Sequence, residues 1–490
     1  MASSAPGTGS PVASPVASPD GQPVGRPVQA VRTTGIYCRA GCSARPDPRN
    51  VTTFALPAAA EAAGYRACHR CRPYRDDAAT GVVGPDLVCR AVRMVTDGAL
   101  DDAPEAEVAA AVGVSPRHLR RLFEEHLGVT PDGLARSRRA HFARRLLDDT
   151  DLSVTDVAFA AGFGSVRQLQ RACAETFGGT PSELRARRRR HDRLAADGGL
   201  DLRLGHTGPL DWPSLVAWLA ARAVPGVEAV DGGVYRRTVL VHGDPGAIEL
   251  RPGGEDHLVL RAHLPHWDGL LHLVRAARRL AGLDLDVVAA GRHLGEDPVL
   301  APLVTARPGL RPPGAWDPEE CLVRAVLGRQ ATVASARDLG GRLARRLGTE
   351  VPGLQAWGLT HTFPTPDRLA GPDGRRAVEG LGGAAVRSAA LAELAGALRQ
   401  GRIDPSAPGA AGELAAIPGI GATTAQLAAV QLGDPDAFPA ADAALRRALG
   451  RADGRGWDAG APSEAQARRR AERWRPWRAV AAIHLWRSVA

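Results

Sequence analysis

Leu414-Ala-Ala-Ile417-Pro418-Gly419-Ile420-Gly421 decides the carboxyl-terminal half of this 490-residue chain. Apolar residues broken by a Pro and two Gly read as two helices joined by a tight hairpin, since Pro ends a helix and Gly permits the turn. The glycines let backbone amides approach a phosphate, and hairpin carbonyls can hold a monovalent cation. Phe438-Pro439-Ala-Ala-Asp442 follows, with Asp442 21 residues after Gly421. A Pro and then an Asp at a helix start put a carboxylate at the positive end of the helix dipole, beside the hairpin. Taken alone, such an Asp only caps a helix; next to the hairpin it is a candidate catalytic carboxylate.

Composition narrows what that carboxylate can serve. The chain carries a formal net charge of +9 with pI near 9.8, which suits a polyanionic partner. All 62 Lys+Arg residues are arginine, so no lysine amine is available for a Schiff base. No apolar run approaches the ~20 residues that cross a bilayer, so no membrane association is expected. Residues 1–30 repeat Pro-Val-Ala-Ser, lack a charged and then apolar leader pattern, and read as a disordered tail. The expected compartment is the cytoplasm, which makes the seven cysteines metal ligands or free thiols rather than disulfides.

Four of those cysteines form two close pairs, Cys38-Arg-Ala-Gly-Cys42 and Cys68-His-Arg-Cys71, separated by 25 residues. Two short thiolate knuckles are what tetrahedral zinc requires, so Cys38, Cys42, Cys68 and Cys71 are the expected Zn²⁺ ligands. Cys89, Cys173 and Cys321 lie in apolar helical patterns and are expected to be packing residues.

Between the cysteines and the hairpin, residues 84–192 show helical periodicity with a repeated pattern. Ala106 to Phe123 reads as helix, turn at Gly113, then a second helix capped by Ser115. Asp156 to Arg171 repeats it with Gly162 and Ser165. Arg117, His118 and Arg120, with Arg167, Gln168 and Gln170, fall on the two second helices, where they could read base edges or phosphates. Arg187 to Arg190 and Asp197-Gly198-Gly199 look like a linker. From Asp201 the pattern mixes strand alternation, as in Thr238–Val241 and His257–Leu260, with helices; from Trp316 it is again helical.

These strings resemble known families. Thr34-Gly-Ile-Tyr-Cys38-Arg39 and Tyr65-Arg-Ala-Cys68-His-Arg-Cys71 resemble the amino-terminal module of Ada-type methyl-phosphotriester repair proteins. The resemblance implies that Cys38 accepts a methyl group from a methylated DNA phosphate, with Arg39 and Arg45 as phosphate contacts. The repeated helix-turn-helix resembles the AraC-type DNA-binding domain, which follows the cysteine module in that family. Trp218 to Glu228, Arg307 to Gly314, Val326 to Val333 and Arg473 to Trp486 resemble AlkA-type 3-methyladenine DNA glycosylase II. That implies Asp442 as catalytic aspartate, Trp486 as a wall of the base pocket and Gln330 as the wedge. Thr423 and Leu427 stand where the family often has pocket aromatics.

The expected architecture is multidomain and mainly α. It has a disordered tail (1–30), a small zinc-thiolate α/β module (31–78), and an AraC-type double helix-turn-helix (84–192). An α+β domain with an antiparallel sheet (201–310) and an all-α helix-hairpin-helix glycosylase domain (311–490) complete it. The expected function is DNA alkylation repair by a monofunctional glycosylase, fused to a methyl acceptor and transcription regulator. Its partners are alkylated double-stranded DNA, promoter DNA and RNA polymerase, met as a monomer. The rival reading is an alkylation-responsive regulator whose glycosylase half only grips DNA; a third treats the zinc as purely structural. No Pro-Cys-His-Arg string occurs, so a second methyl acceptor is not expected.

Overall fold

The computed structural model describes residues 27–44, 46–75, 86–96, 98–189, 199–329, 331–381, 385–405, 410–418, 420–452 and 461–489. The chain divides into two compact units, one of residues up to Asp197 with His266–Arg275, the other of Gly198–Pro265 with Ala276 onward.

The first unit opens on a small sheet of β1 (Val28–Val31), β2 (Ile36–Arg39), β3 (Val51–Phe54) and β4 (Arg66–Ala67), in the order β3-β1-β2-β4. Here the expected tail ending at residue 30 is corrected. Val28, Ala30 and Val31 are buried, and β1 pairs with both β2 and β3, so it is an interior strand of the module. Helix α1 (Pro57–Ala62) packs on this sheet.

Among the described residues eight helices follow: α2 (Asp86–Thr96), α3 (Ala99–Asp102), α4 (Glu105–Ala111), α5 (Pro116–Leu127), α6 (Pro131–Asp149), α7 (Val154–Ala160), α8 (Val166–Phe177) and α9 (Pro181–Ala186). The two helix-turn-helix pairs, α4–α5 and α7–α8, repeat down to their caps. Ser115 and Ser165 accept hydrogen bonds from the His118 and Gln168 amides at the starts of α5 and α8. Gly113 and Gly162 make the turns at φ +78° and +77°, a left-handed backbone that costs other residues roughly 1–2 kcal/mol.

Helix α6 joins the pairs and also carries the cysteine module. Twelve of its 19 residues are buried, including the charged Arg144, Asp148 and Asp149. Asp148, fully buried, pairs with Arg144 at 2.7 Å and with Arg75 at 3.3 Å, and accepts the Tyr74 hydroxyl at 3.1 Å; Asp149 takes Arg75 at 2.9 Å. Higher on α6, His141 meets Glu61 of α1 at 2.7 Å, and the same carboxylate oxygen accepts the Tyr37 hydroxyl at 2.6 Å. Removing one partner of such a buried set strands the others, at a cost of about 3–5 kcal/mol. Asp148→Asn is therefore expected to speed hydrogen exchange across α6; unchanged protection would contradict this assignment of the seam.

The second unit begins at β5 (Leu200–Gly205), followed by α10 (Trp212–Arg222), β6 (Glu228–Asp231), β7 (Val234–Val241), β8 (Asp244–Pro252) and β9 (His257–His263). The sheet is antiparallel throughout, ordered β5-β9-β8-β7-β6, as the alternation in the sequence required. Tyr235, Leu250 and Leu260 line one face, while the other carries cross-strand pairs such as Arg236 with Glu249 and Asp201 with Arg261. Helix α11 (Leu270–Leu280), whose residues up to Arg275 belong to the first unit, comes next, followed by α12 (Val287–Leu294) and α13 (Ala301–Ala306). The helical domain adds α14 (Pro318–Leu327), α15 (Val333–Leu347), α16 (Pro366–Ala370), α17 (Pro372–Glu379), α18 (Ala385–Arg399), α19 (Ala410–Ala416), α20 (Gly421–Gln431), α21 (Ala443–Ala452), α22 (Glu464–Ala471) and α23 (Arg478–Arg487).

Buried Arg311 and Arg237, with half-buried Arg324, fasten the sheet region to these helices. Arg311 donates to the carbonyls of Gly282, Leu285, Thr207 and Pro209, and burial lowers its pKa to about 10. Arg324 of α14 reaches Glu228 of β6 at 2.9 Å and Glu320 at 3.0 Å, while Arg237 takes the other oxygen of Glu320 at 2.7 Å. Burial works against the Glu228 charge, but Arg324 and Arg237 outweigh it and hold the carboxyl below its usual range. A lowered folded pKa stabilises above the unfolded value of about 4.3 and is lost as pH falls through the folded one. Glu228→Gln should cost about 3–5 kcal/mol at neutral pH. It should also flatten the acid limb of urea unfolding, and a variant with wild-type stability at neutral pH would contradict the network.

Candidate functional site

The first candidate site sits where β2 and β4 run parallel. Cys38 lies on β2 and Cys68 directly follows β4, so the pairing of Tyr37 with Ala67 brings the two cysteines side by side. Tight turns supply Cys42 and Cys71, and all four sulfurs lie within 4.8 Å of one another. Tetrahedral zinc with Zn–S bonds of about 2.3 Å needs sulfurs roughly 3.8 Å apart, which this set fits. Cys38 and Cys68 are buried, Cys42 and Cys71 half-buried.

The electrostatics of the thiols call for a cation. Burial first, and then the neighbouring cysteines, push Cys38 far above an ordinary thiol; burial likewise raises Cys71 to about 12. Burial also opposes ionisation of Cys68, yet the Cys71 and Arg70 amides that hydrogen-bond its sulfur bring it below the ordinary value. Four crowded thiols of this kind become thiolates together only with a metal among them. The His69 imidazole on the second knuckle is held low by burial first, then by the charges of Arg187, Arg144, Arg66 and Arg72. Arg39 is exposed at the end of β2; Arg45 lies outside the described residues.

The expected DNA readers separate into two groups. Arg117, Arg167 and Gln170 are exposed on the first turns of α5 and α8. Arg120 is also exposed but pairs with Glu105 at 2.8 Å, Gln168 accepts the Gly164 amide at 3.0 Å, and His118 contacts Arg121 at 3.2 Å. Those three shape the helix-turn-helix as well as its surface.

The second candidate site lies in the helical domain. Helices α19 and α20 pack as the hairpin pair, with Ile417 and Ile420 buried. Gly421 opens α20 at φ +72°, and the space beside its Cα is open. Gly419 lies outside the described residues, as does Gln330, whose flanking helices α14 and α15 end at Leu327 and start at Val333. Asp442 immediately precedes α21, half-buried, and its Oδ1 accepts the Leu445 amide at 2.7 Å. The Trp486 indole N–H of α23 donates to the same oxygen at 3.0 Å, a contact across 44 residues. Oδ1 is thus held twice, and among the described residues no hydrogen bond engages Oδ2.

Trp486 packs against the cluster of Ala429 and Val430 on α20 and Ala479 on its own helix. Thr423 is exposed and Leu427 half-buried, one turn apart on α20. Nothing in the sequence pairs Trp486 with Asp442, because the hydrogen bond depends on how α21 and α23 cross. His484, two residues earlier on α23, is buried and held at about 4 by that burial. Of the other cysteines, Cys173 and Cys321 are buried as expected and Cys89 is half-buried. Among the described residues no helix is long and apolar enough to cross a membrane.

Residues 15–74 match the metal binding domain of Ada, 108–187 a helix-turn-helix domain, and 201–317 the AlkA N-terminal domain. The chain is 39% identical over 474 residues to the probable bifunctional transcriptional activator/DNA repair enzyme AlkA of Mycobacterium tuberculosis, covering 94% of this chain and 92% of the relative. It is 34% identical over 287 residues to DNA-3-methyladenine glycosylase 2 of Escherichia coli, 57% of this chain and 94% of that protein. To the bifunctional transcriptional activator/DNA repair enzyme Ada of Escherichia coli it is 37% identical over 160 residues, 32% of this chain and 44% of that protein.

Proposed function

The chain belongs to the family of Ada–AlkA fusions, bifunctional transcriptional activators and DNA repair enzymes, and from that premise we propose how its residues divide the work. The back half is a DNA-3-methyladenine glycosylase, and the front half is a zinc-binding methyl acceptor joined to a DNA-binding regulator. The observation that carries the residue-level reading is the Asp442 carboxylate, fixed through Oδ1 with Oδ2 left for chemistry.

A methylated purine is cationic, so its glycosidic bond is weak before any catalyst acts. The hairpin with Gly419 and Gly421 grips backbone phosphate, its carbonyls hold a monovalent cation, and Gln330 fills the gap left by the flipped base. The base stacks on Trp486 above Thr423 and Leu427. As the C1′–N bond breaks, its electron pair leaves with the base, and Asp442 Oδ2 stabilises the positive charge developing on the sugar. Water then adds at C1′ and loses its proton to the carboxylate. With no lysine in the chain, the reaction stops at the abasic site.

In the front half Cys38, Cys42, Cys68 and Cys71 hold Zn²⁺, which keeps the Cys38 sulfur a thiolate. The Cys38 sulfur forms a bond to the methyl carbon of the phosphotriester, the methyl–oxygen bond breaks, and its electron pair returns to the phosphate oxygen. Arg39 and Arg45 hold the flanking phosphates. Loss of one thiolate charge makes the module less repulsive to DNA, which favours binding of promoter DNA through α5 and α8 and recruitment of RNA polymerase. The protein acts in the cytoplasm as a monomer. Incubating the full chain with heavily methylated duplex should release many free bases per chain but load only one methyl on each. A methyl count that keeps rising with turnover, or base release limited to one per chain, would contradict this division.

A further inference from the structure

The arginine run that follows α9 reads in the sequence as a linker, but Arg187, Arg188 and Arg189 are part of the first unit. The Arg187 amide bonds the Glu183 and Leu184 carbonyls, closing α9, and Arg188 pairs with Asp151 at 2.8 Å. This fixes the course of the run. Arg189 Nη2 then donates to the backbone carbonyl of Arg70, between Cys68 and Cys71, at 3.3 Å. Arg70 in turn donates to Ser43 Oγ, beside Cys42, at 3.4 Å. The end of the helix-turn-helix domain is therefore two hydrogen bonds from both knuckles of the cysteine cluster. On the same side, Arg66 lies over the carboxyl-terminal cap of α8, and Arg187 and Arg66 bear on the same imidazole, His69.

Arg66, Arg70, Arg187 and Arg189 are all exposed. A guanidinium presents its donors in a planar fork that matches a phosphate, and Arg187 and Arg189 both bring that fork to the surface beside the cluster. Four exposed guanidinium groups gathered beside a cluster that carries negative charge have one fitting partner, the phosphate backbone of DNA.

We propose that Arg187 and Arg189, carried by the helix-turn-helix domain, complete a phosphate-binding rim around the cysteine cluster and grip DNA phosphates beside the one presented to Cys38. The rim rests on the reading that this face meets DNA, and it makes the acceptor module and the reading helices hold one continuous stretch of backbone. It also gives the run a task that a linker would not have, since a linker needs neither fixed course nor fixed charge.

The test is the salt dependence of binding of the full zinc-loaded chain to a short unmodified duplex, for wild type, Arg187→Ala/Arg189→Ala and Arg187→Lys/Arg189→Lys. Each phosphate contact adds about 0.9 to the slope of log K against log salt. The alanine variant should therefore have a slope shallower by about 1.8, and the lysine variant should restore most of it. An alanine variant that binds more weakly with the wild-type slope, or shows no change, overturns the rim. Should the alanine variant lose its zinc, the lysine variant decides: zinc retained with a steep slope supports the rim, and zinc retained with a shallow slope overturns it. Mass spectrometry of Cys38 after exposure to methylated DNA separates the two readings, because a chain that never gains a methyl but shows the slope difference loses the acceptor assignment and keeps the rim.

Discussion

Asp442→Asn is expected to abolish measurable release of alkylated bases, with a fall of at least about 10²–10³-fold, the size seen when a charge-stabilising group is removed from a transition state. The substitution is informative because the structure lets it be clean. Asn is as good as Asp at a helix start. Its side-chain oxygen can still accept the Leu445 amide and the Trp486 indole N–H, the two hydrogen bonds that Oδ1 makes. What disappears is the charge at Oδ2. Folding, measured by thermal unfolding, and affinity for duplex DNA should stay near wild type. An Asn variant that excises bases at the wild-type rate would remove Asp442 from the chemistry and make it the helix cap that the bare sequence also allowed.

Cys38→Ala is expected to eliminate methyl uptake from a methyl-phosphotriester duplex, read as the absence of a one-methyl mass gain on the intact chain. Three thiolates remain to hold zinc, more weakly than four, so metal content should fall without the module losing its sheet, because the backbone pairing of β1 with β2 and β3 does not use the Cys38 side chain. Base release in the same sample reports that the rest of the chain is folded. A Cys38→Ala chain that still gains a methyl group would move the acceptor to another thiol, and Cys42 and Cys71, the half-buried members of the cluster, would be the ones to test.

Much of the organisation was legible because it rests on local rules. Two cysteine pairs at knuckle spacing announce a metal module, and repeated Gly turns with Ser caps announce two helix-turn-helix pairs. Alternation in Thr238–Val241 and His257–Leu260 announces strands, and β7 and β9 hold them. What escaped depends on chain segments far apart in sequence. Val28–Ala30 looked like the end of a Pro-rich tail because a four-residue strand is too short to show a period, and only pairing with β2 and β3 makes Val28–Val31 a strand. The run Arg187 to Arg190 looked solvated because a carbonyl in a cysteine knuckle 119 residues away cannot be seen from composition. The seam on α6 was hidden for the same reason: Asp148 and Arg144 are helix residues of ordinary polarity until Tyr74 and Arg75 cover them.

At Asp442, the proposed catalytic carboxylate, the sequence supplied the residue but not its surroundings. Asp442 was recognisable from its distance to the hairpin, and Trp486 from its terminal string. That the indole orients the carboxylate, in addition to any role as a pocket wall, follows only from the crossing of α21 and α23. Thr423 is exposed and Leu427 half-buried on α20, so in the proposed pocket the stacking surface falls to Trp486 and Leu427.

The most direct test of the account is to incubate the wild-type chain with methylated duplex DNA and follow free 3-methyladenine and strand integrity together. The account predicts many bases released per chain and strands that stay whole until alkali breaks them at abasic sites. Tight binding to the duplex with no base released would contradict it and leave the back half a DNA grip.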